Sequence, residues 1–353
     1  MDGSKSIFCT LFDSGYLDKG LVLYKSLCKN AMSFKLYVFA FDEKCYEIMS
    51  EYADESLIVV SLADFESEDL LKAKQNRNAR EYCWTCSSHT IKYVLEHYKE
   101  PHCTYIDADM YFYKDPGCLL QEIEESGCDV SIIRHGFIPN KENMRHINMS
   151  GEYCVEFNTF YNTDNGRKVL DWWCKQCLEC CPDKADGIKF GDQKYLEQFQ
   201  ELFAGVHVLQ NKGAGIAPWN IARFELYGDG AEDNIELREK TTKEIFPLIF
   251  YHFQKIRYLS EKSADINVYI YPHKASKKIR NRIYLPYMYN VSRERQELAE
   301  KYNLFLDQKE QYFKKQSIVE FMKHLLKNER NLSIGIRRFC RALFLKKYDY
   351  ISW

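Results

Sequence analysis

The sequence predicts an α/β protein with a mainly parallel central sheet and a helical extension at its C-terminal end. Two observations predict it. Short apolar runs alternate with segments of helical period through the first half of the chain, and the only Asp-x-Asp triplet stands at the end of one of those runs.

In order, the runs 7–12, 34–41 and 57–61 read as strands, and 18–28 and 43–52 between them as helices. A long helix over 81–98 leads through Pro101 into a strand at 102–106. Asp115-Pro116 then opens another helix, and 129–133 is the next strand. In the second half, 155–161, 206–209 and 245–250 read as strands, and 164–181 and 192–203 as helices. The stretches 213–220 and 227–234 are rich in Gly, Pro, Asp and Asn, so they mark loops, expected to rim a ligand site at the carboxyl edge of the sheet. From residue 292 the pattern turns helical and basic, with an apolar stripe that includes Phe321, Leu325, Ile336 and Phe339. The expected organisation is an α/β domain over 1–260 and a basic, mostly helical extension over 261–353.

At 353 residues the chain can bury a sizeable core, and 46% apolar with 28% charged residues is a globular composition. An aromatic content of 15% exceeds the needs of that core and suits a binding cleft. The net charge is −2, but residues 301–353 hold twelve Lys/Arg against five Asp/Glu, which leaves the body acidic and argues against nucleic acid as its partner. That basic tail either packs on the body or meets an anionic membrane surface. The first residues show no basic and apolar leader, and no apolar run approaches the roughly 20 residues that cross a bilayer. A cytoplasmic protein is expected, with peripheral contact at the inner face of the membrane through the tail.

The 14 cysteines fit free thiols in a reducing compartment. Cys83-Trp84-Thr85-Cys86 and the group Cys174, Cys177, Cys180 and Cys181 have spacings found in zinc or redox sites. They fall in helical stretches with no second pair nearby, and so read as buried or half-buried thiols.

The segment CTYIDADMYFYKDP, 103–116, carries the most chemistry. Asp107 and Asp109, two residues apart where a buried strand stops, can point to one side and offer hard oxygen ligands suited to Mn²⁺ or Mg²⁺. Far downstream, IFPLIF runs into Tyr251-His252-Phe253 and sets an imidazole at the end of another strand as a third ligand.

Five segments stand in a fixed order: Cys9-Thr10-Leu11-Phe12-Asp13-Ser14-Gly15-Tyr16; Asn78-Ala79-Arg80-Glu81-Tyr82; Asp107-Ala108-Asp109; Glu156-Phe157-Asn158 with Gly191-Asp192-Gln193; and His252 with Lys255. In this layout the first 260 residues resemble GT-A fold nucleotide-sugar glycosyltransferases, most of all family 8, which includes glycogenin and bacterial lipopolysaccharide galactosyltransferases. The resemblance implies that Thr10, Phe12, Asp13 and Tyr16 contact the nucleotide and that Arg80, with Arg77 as its competitor, reaches the donor. It implies Asp107, Asp109 and His252 as ligands of Mn²⁺ or Mg²⁺, with Asp107 also on the ribose. Asn158 would line the donor sugar, Asp192 and Gln193 would act at the reacting centre, and Lys255 or Arg257 would face the diphosphate. The chain departs from the family in HFQKIRYL, where the expected glycine and Lys-Pro-Trp ending are missing. Asp192 also fits a plain helix N-cap.

The activity so implied is transfer of a hexose from a nucleoside-diphosphate donor, with a UDP-sugar expected, to a saccharide or lipid-linked saccharide in bacterial polysaccharide or lipopolysaccharide biosynthesis. Family likeness implies retention of anomeric configuration, whereas Asp192 acting as a general base would invert it. For the acceptor, the loop 212–220 offers flexing glycines and an aromatic face, which makes Trp219 and Asn220 the candidates; a core Trp after a proline turn is the alternative. Two rival functions stay open. A sugar-nucleotide nucleotidyltransferase would share fold and metal but needs a glycine-rich basic loop after its first strand, unlike residues 12–20. A noncatalytic nucleotide- or carbohydrate-binding protein could use the same scaffold without its metal ligands.

Overall fold

The computed structural model describes residues 5–184, 189–228, 234–260, 263–266, 271, 275–305 and 350–352. Strands β1 (Ser6–Phe12), β2 (Phe34–Ala40), β3 (Leu57–Ser61) and β4 (His102–Ile106) come first. After the short β5 (Met110–Phe112) follow β6 (Val130–Arg134), β7 (Tyr153–Tyr161) and β8 (Val206–Val208). All but β5 form one sheet in the order β3-β2-β1-β4-β7-β6-β8. Every pair is parallel except those of β7, which runs against both β4 and β6. This is the mainly parallel α/β class that the alternating pattern predicts.

Strands buried on both faces explain why those runs are apolar throughout. Phe8 and Phe12 of β1 pack on one face with the helices Leu17–Asn30 and Glu43–Ser50, while Ile7, Cys9 and Leu11 pack on the other with Ala79–His97 and Asp164–Glu179. The helix Ala79–His97 starts on a capping box, Asn78 accepting from Glu81 N while the Glu81 carboxylate accepts from Asn78 N.

Several expectations change. The run 245–250 is not one strand: β11 (Ile245–Pro247) joins β9 (Phe224–Tyr227) and β10 (Glu236–Glu239) in an antiparallel sheet, and β12 (Phe250–His252) pairs with β5. The first ladder ends one residue beyond Pro247, where Leu248 N donates to Ile235 O at 2.9 Å, and the chain then turns to pair with β5. The stretch 192–203 is a 3-10 helix, Gln193–Gln198, followed by a single α turn, Phe199–Leu202, and the Asp192 side chain makes no capping bond to it. A helix over Lys141–Ser150, between β6 and β7, has no counterpart in the sequence reading.

The strands β13 (Arg257–Ser260) and β14 (Ser263–Asp265) pair, and β15 (Tyr350–Ser352) adds to β14. The helix Leu285–Tyr302 lies on the helix Leu17–Asn30, with ion pairs from Lys25 to Glu294 at 2.6 Å and from Arg295 to Asp18 at 3.4 Å. The apolar stripe and most of the basic tail lie outside the described residues. Among those described, no helix is long and apolar enough to cross a membrane.

Candidate active site

The centre of the site is built by a three-residue ladder. The chain leaves β4 at Ile106, turns through Asp107, Ala108 and Asp109 with Met110 N donating to Asp107 O, and enters β5. Antiparallel pairing of β5 with β12 sets His252 opposite Met110, and Phe253 N donates to Asp109 O at 2.8 Å. Residues 143 positions apart in sequence are thereby brought to one point: His252 Nε2 lies 3.0 Å from Asp109 Oδ1 and 3.6 Å from Asp107 Oδ2. The ligand atoms of Asp107, Asp109 and His252 all lie within 4.8 Å of one another.

On the other edge of the ring, His252 Nδ1 lies 2.7 Å from Glu156 Oε2, a fully buried carboxylate of β7. Three carboxylates thus surround one imidazole. Burial lifts the Asp107 carboxyl to about 8 against the pull of His252, and the Asp109 and Glu156 charges add to the rise. Burial would raise Asp109 as well, but the closer imidazole holds it below the ordinary value, with Lys19 helping. Burial opposes charge on His252 too; Asp109, then Cys154 and Glu156, nonetheless hold its pKa well above the usual range. Two carboxylate oxygens and an imidazole nitrogen in an over-acidic pocket are a donor set that fits Mn²⁺ or Mg²⁺, whose charge would offset the excess.

Asp192 stands outside this ligand set, although its charge too raises Asp107. Asp192 is 4% exposed, and its Oδ2 lies 2.5 Å from Ser87 Oγ on the helix Ala79–His97. Trp173 Nε1 donates to its backbone oxygen at 2.9 Å. Burial raises the Asp192 carboxyl to about 7, and the Ser87 bond works in the opposite direction. Ser87 Oγ also lies 2.9 Å from the Trp84 carbonyl. One hydroxyl proton serves one acceptor at a time, so ionised Asp192 leaves the Trp84 carbonyl without it. Protonated Asp192 can donate to Ser87 while Ser87 donates to Trp84. Asp192 is therefore not the plain N-cap that its position allowed.

The remaining candidates divide. Thr10 and Asn158 are fully buried, and neither Thr10 Oγ1 nor either amide atom of Asn158 has a hydrogen-bond partner among the described residues. Those atoms are available to a bound molecule or an ordered water. Tyr16 is 42% exposed, and Asp109 foremost raises its pKa, which puts the phenol beside the acidic cluster. Lys19 Nζ lies 3.9 Å from the centre of its ring. Asp13 is exposed and accepts from Gly15 N. Gln193 Nε2 donates to Ser150 O at 2.9 Å. Arg80 is exposed, with an ion pair to Asp183 at 3.9 Å, whereas Arg77 is committed to the carbonyls of Cys177 and Leu178 at 2.8 Å. Lys255 sits in the turn after β12 with φ 63°, and the side chain of Arg257 lies outside what is described.

Three candidates are drawn away from a ligand. Phe12 closes over Gly20 in the core, where a Cβ on that glycine would stand 2.3 Å from the ring. Trp219 is 1% exposed, with its ring set edge-on to His252 at 5.3 Å. Asn220 is 3% exposed; it accepts from Ala217 N and donates to the carbonyls of His135 and Gly215. The glycines of this loop serve close packing instead of flexing: a Cβ on Gly213 would lie 2.1 Å from Pro247 O. Both side chains are buried, and Trp219 Nε1 is left without a hydrogen-bond partner among the described residues.

Glu156 and Ser87 were missed. Glu156 had a signal, a lone carboxylate inside the apolar run 153–161. Ser87 had none, since its link to Asp192 spans 105 positions. The described cysteines are free thiols, and neither sequence cluster forms a candidate metal group among the described residues.

No family model matches the chain. It is similar to two uncharacterized proteins of Bacillus subtilis (strain 168). YfnD is 29% identical over 303 residues, covering 85% of this chain and 93% of YfnD. YfnF is 32% identical over 261 residues, covering 72% of this chain and 83% of YfnF. Among solved structures it is similar to the galactosyltransferase LgtC in complex with donor and acceptor sugar analogs (13% identity, 70% of this chain and 87% of that one, TM-score 0.46). It is also similar to mouse xyloside xylosyltransferase 1 (14%, 71% and 98%, TM-score 0.44) and to the Streptococcus pneumoniae glycosyltransferase GlyE (14%, 62% and 48%, TM-score 0.39). The chain spans about half the length of GlyE.

Proposed function

The chain belongs to the family of the Bacillus subtilis protein YfnF, and we propose that it is a metal-dependent glycosyltransferase taking a hexose from a nucleoside-diphosphate donor, a UDP-sugar by expectation. The acceptor in this reading is a saccharide or lipid-linked saccharide. The observation that carries it is the convergence of Asp107, Asp109 and His252 at the carboxyl edge of the sheet, where two buried carboxylates and the half-buried Asp107 meet one imidazole. Those three residues would hold Mn²⁺ or Mg²⁺, which when bound supplies Lewis-acid stabilisation of the diphosphate leaving group.

The chain's own residues do the rest. Lys19 sets an ammonium against the Tyr16 ring, and both groups feel the Asp109 charge. Thr10 and Asn158 offer unpaired polar atoms for ribose or sugar hydroxyls. Arg80 and Lys255, both exposed, are the cations this reading assigns to the phosphates. Asp192, outside the ligand set and held by Ser87, acts at the reacting carbon in this reading. If it stabilises the cationic sugar the reaction retains configuration, as the family resemblance implies. A carboxyl at about 7 is also matched to general-base work near neutral pH, which favours inversion as the second reading. NMR of the product's anomeric linkage against the donor's separates the two.

The test is a panel of UDP-, GDP- and dTDP-sugars with and without Mn²⁺, with Asp109→Ala as control. Turnover that needs Mn²⁺ and Asp109 supports the reading. Pyrophosphate release from a nucleoside triphosphate would point to a nucleotidyltransferase, and binding without turnover to a noncatalytic protein. The basic tail is assigned to an anionic membrane surface in the same proposal; liposome co-sedimentation unchanged on removing the residues after Lys309 would remove that part.

A further inference from the structure

We propose that Glu156 is a positioning residue for the metal site: by accepting from His252 Nδ1, it holds the imidazole with Nε2 aimed at Asp107 and Asp109. The proposal rests on reading Asp107, Asp109 and His252 as metal ligands.

An imidazole offers a metal only one nitrogen at a time, and the bond made by the other decides which one. In this site Nδ1 lies 2.7 Å from Glu156 Oε2, and Nε2 lies 3.0 Å from Asp109 Oδ1. With a proton on Nδ1 donated to Glu156, the Nε2 lone pair is left for a cation. A half-turn of the ring about its Cβ–Cγ bond would break both relations, and shape alone does little to prevent it. Trp219 meets the imidazole edge-on, a contact that fills space and treats carbon and nitrogen nearly alike. Cys154, also near the ring, has only a weakly polar thiol. Asp109 and Glu156 are the charged groups that tell the two orientations apart, and of the two only Glu156 stands outside the ligand set and is left to hold the ring once a cation engages Asp109.

Glu156 also has little structural use apart from this bond. It is fully buried within a strand, and its Oε1 has no hydrogen-bond partner among the described residues. An apolar residue there would remove the penalty for burying a carboxylate. Space has nevertheless been left for it: Gly215, at φ 67°, passes so close that a Cβ would stand 3.3 Å from Oε1. A strand interior that keeps an ill-satisfied carboxylate beside a ligand imidazole is explained by its action on that imidazole.

The experiment is a titration of Mn²⁺ alone into the full chain, followed by the electron paramagnetic resonance signal of free Mn²⁺. It compares wild type, E156Q, E156A, H252A and the double variant E156A/H252A, with thermal melting without metal as the folding control. E156A is expected to bind Mn²⁺ about 10- to 100-fold more weakly. E156Q should weaken binding as well, because a glutamine amide can donate to Nδ1 and place the proton on Nε2. In the H252A background, E156A should bring no further loss. Wild-type affinity in folded E156Q and E156A would overturn the proposal, as would losses that simply add in the double variant. Wild type that binds no Mn²⁺ would overturn the metal reading beneath it, a distinct result.

Discussion

Asp109 and Asp192 are both nearly sealed from solvent, 8% and 4% exposed, yet their carboxyls shift in opposite directions. Asp109 faces an imidazole at 3.0 Å and is held below its ordinary pKa. Asp192 faces a hydroxyl at 2.5 Å and rises to about 7. Burial disfavours the anion in both places, and only a neighbouring charge reverses it; a hydrogen bond from a neutral group reduces the rise without cancelling it. One carboxylate is thereby kept ready for a cation and the other is kept near the point of gaining or losing a proton. Environments that push like groups apart are how acid–base roles are assigned.

The largest effect should come from breaking the charged half. D109A is expected to lower kcat/KM for transfer by about 10³-fold, since it removes a group acting where charge develops on the leaving diphosphate, and added Mn²⁺ should recover little of it. D192N should lower kcat about 10²-fold while leaving Mn²⁺ affinity as in wild type, a split that keeps the two carboxylates distinct. A variant equally poor in both measurements would merge them.

The pH profile sharpens the same contrast. If the ionised Asp192 works, kcat/KM rises tenfold per unit below about pH 7 and levels above it. Removing the Ser87 hydroxyl, which holds the carboxyl down, should carry that limb to higher pH in S87A, with S87T restoring it. Stability follows with the opposite sign from an ordinary carboxylate. A folded-state pKa raised from 3.8 to about 7 means that the stability due to Asp192 is complete below pH 3.8 and is lost as the pH rises through 7. D192N should therefore melt higher than wild type at pH 8, with that advantage gone near pH 4.

How far such a site can be read in advance depends on how local its causes are. The strands β1, β2 and β4 and the helix Ala79–His97 follow from apolar runs and a capping box inside the run itself. The reversed direction of β7 and the split at Pro247 depend on partners far away in sequence. Asp107, Asp109 and His252 could be named because each stands at the end of an apolar run. The ladder joining them is three residues long and leaves no periodic signal. The loop 212–220 misleads for a physical reason: glycine marks both mobile backbone and backbone packed too closely for a Cβ, and here the second applies.

That loop carries the next prediction. W219A removes a fully buried indole set against His252, so it should cost about 3 kcal/mol of stability, read by denaturant unfolding. N220A strands the Ala217 N–H and two carbonyls and should cost about 1–2 kcal/mol. An acceptor role instead predicts normal unfolding with poor transfer and unchanged donor hydrolysis, which would return both residues to the binding surface.

The smallest effect separates two arginines three positions apart. Arg77 donates to two carbonyls at the C-terminal end of the helix Asp164–Glu179, where a cation also meets the negative end of the helix dipole. Arg80 projects from the start of its own helix and meets only Asp183, at 3.9 Å, a pair too open to hold it in place. R77A should lower the melting temperature and leave donor KM alone. R80A should do the reverse, raising donor KM about fivefold with kcat unchanged, because an exposed cation on a phosphate contributes about 1 kcal/mol and binds ground and transition states alike. A drop in kcat for R80A would mean that the charge meets the diphosphate only as the sugar leaves it, which would move Arg80 from donor binding into the chemistry that Asp109 serves.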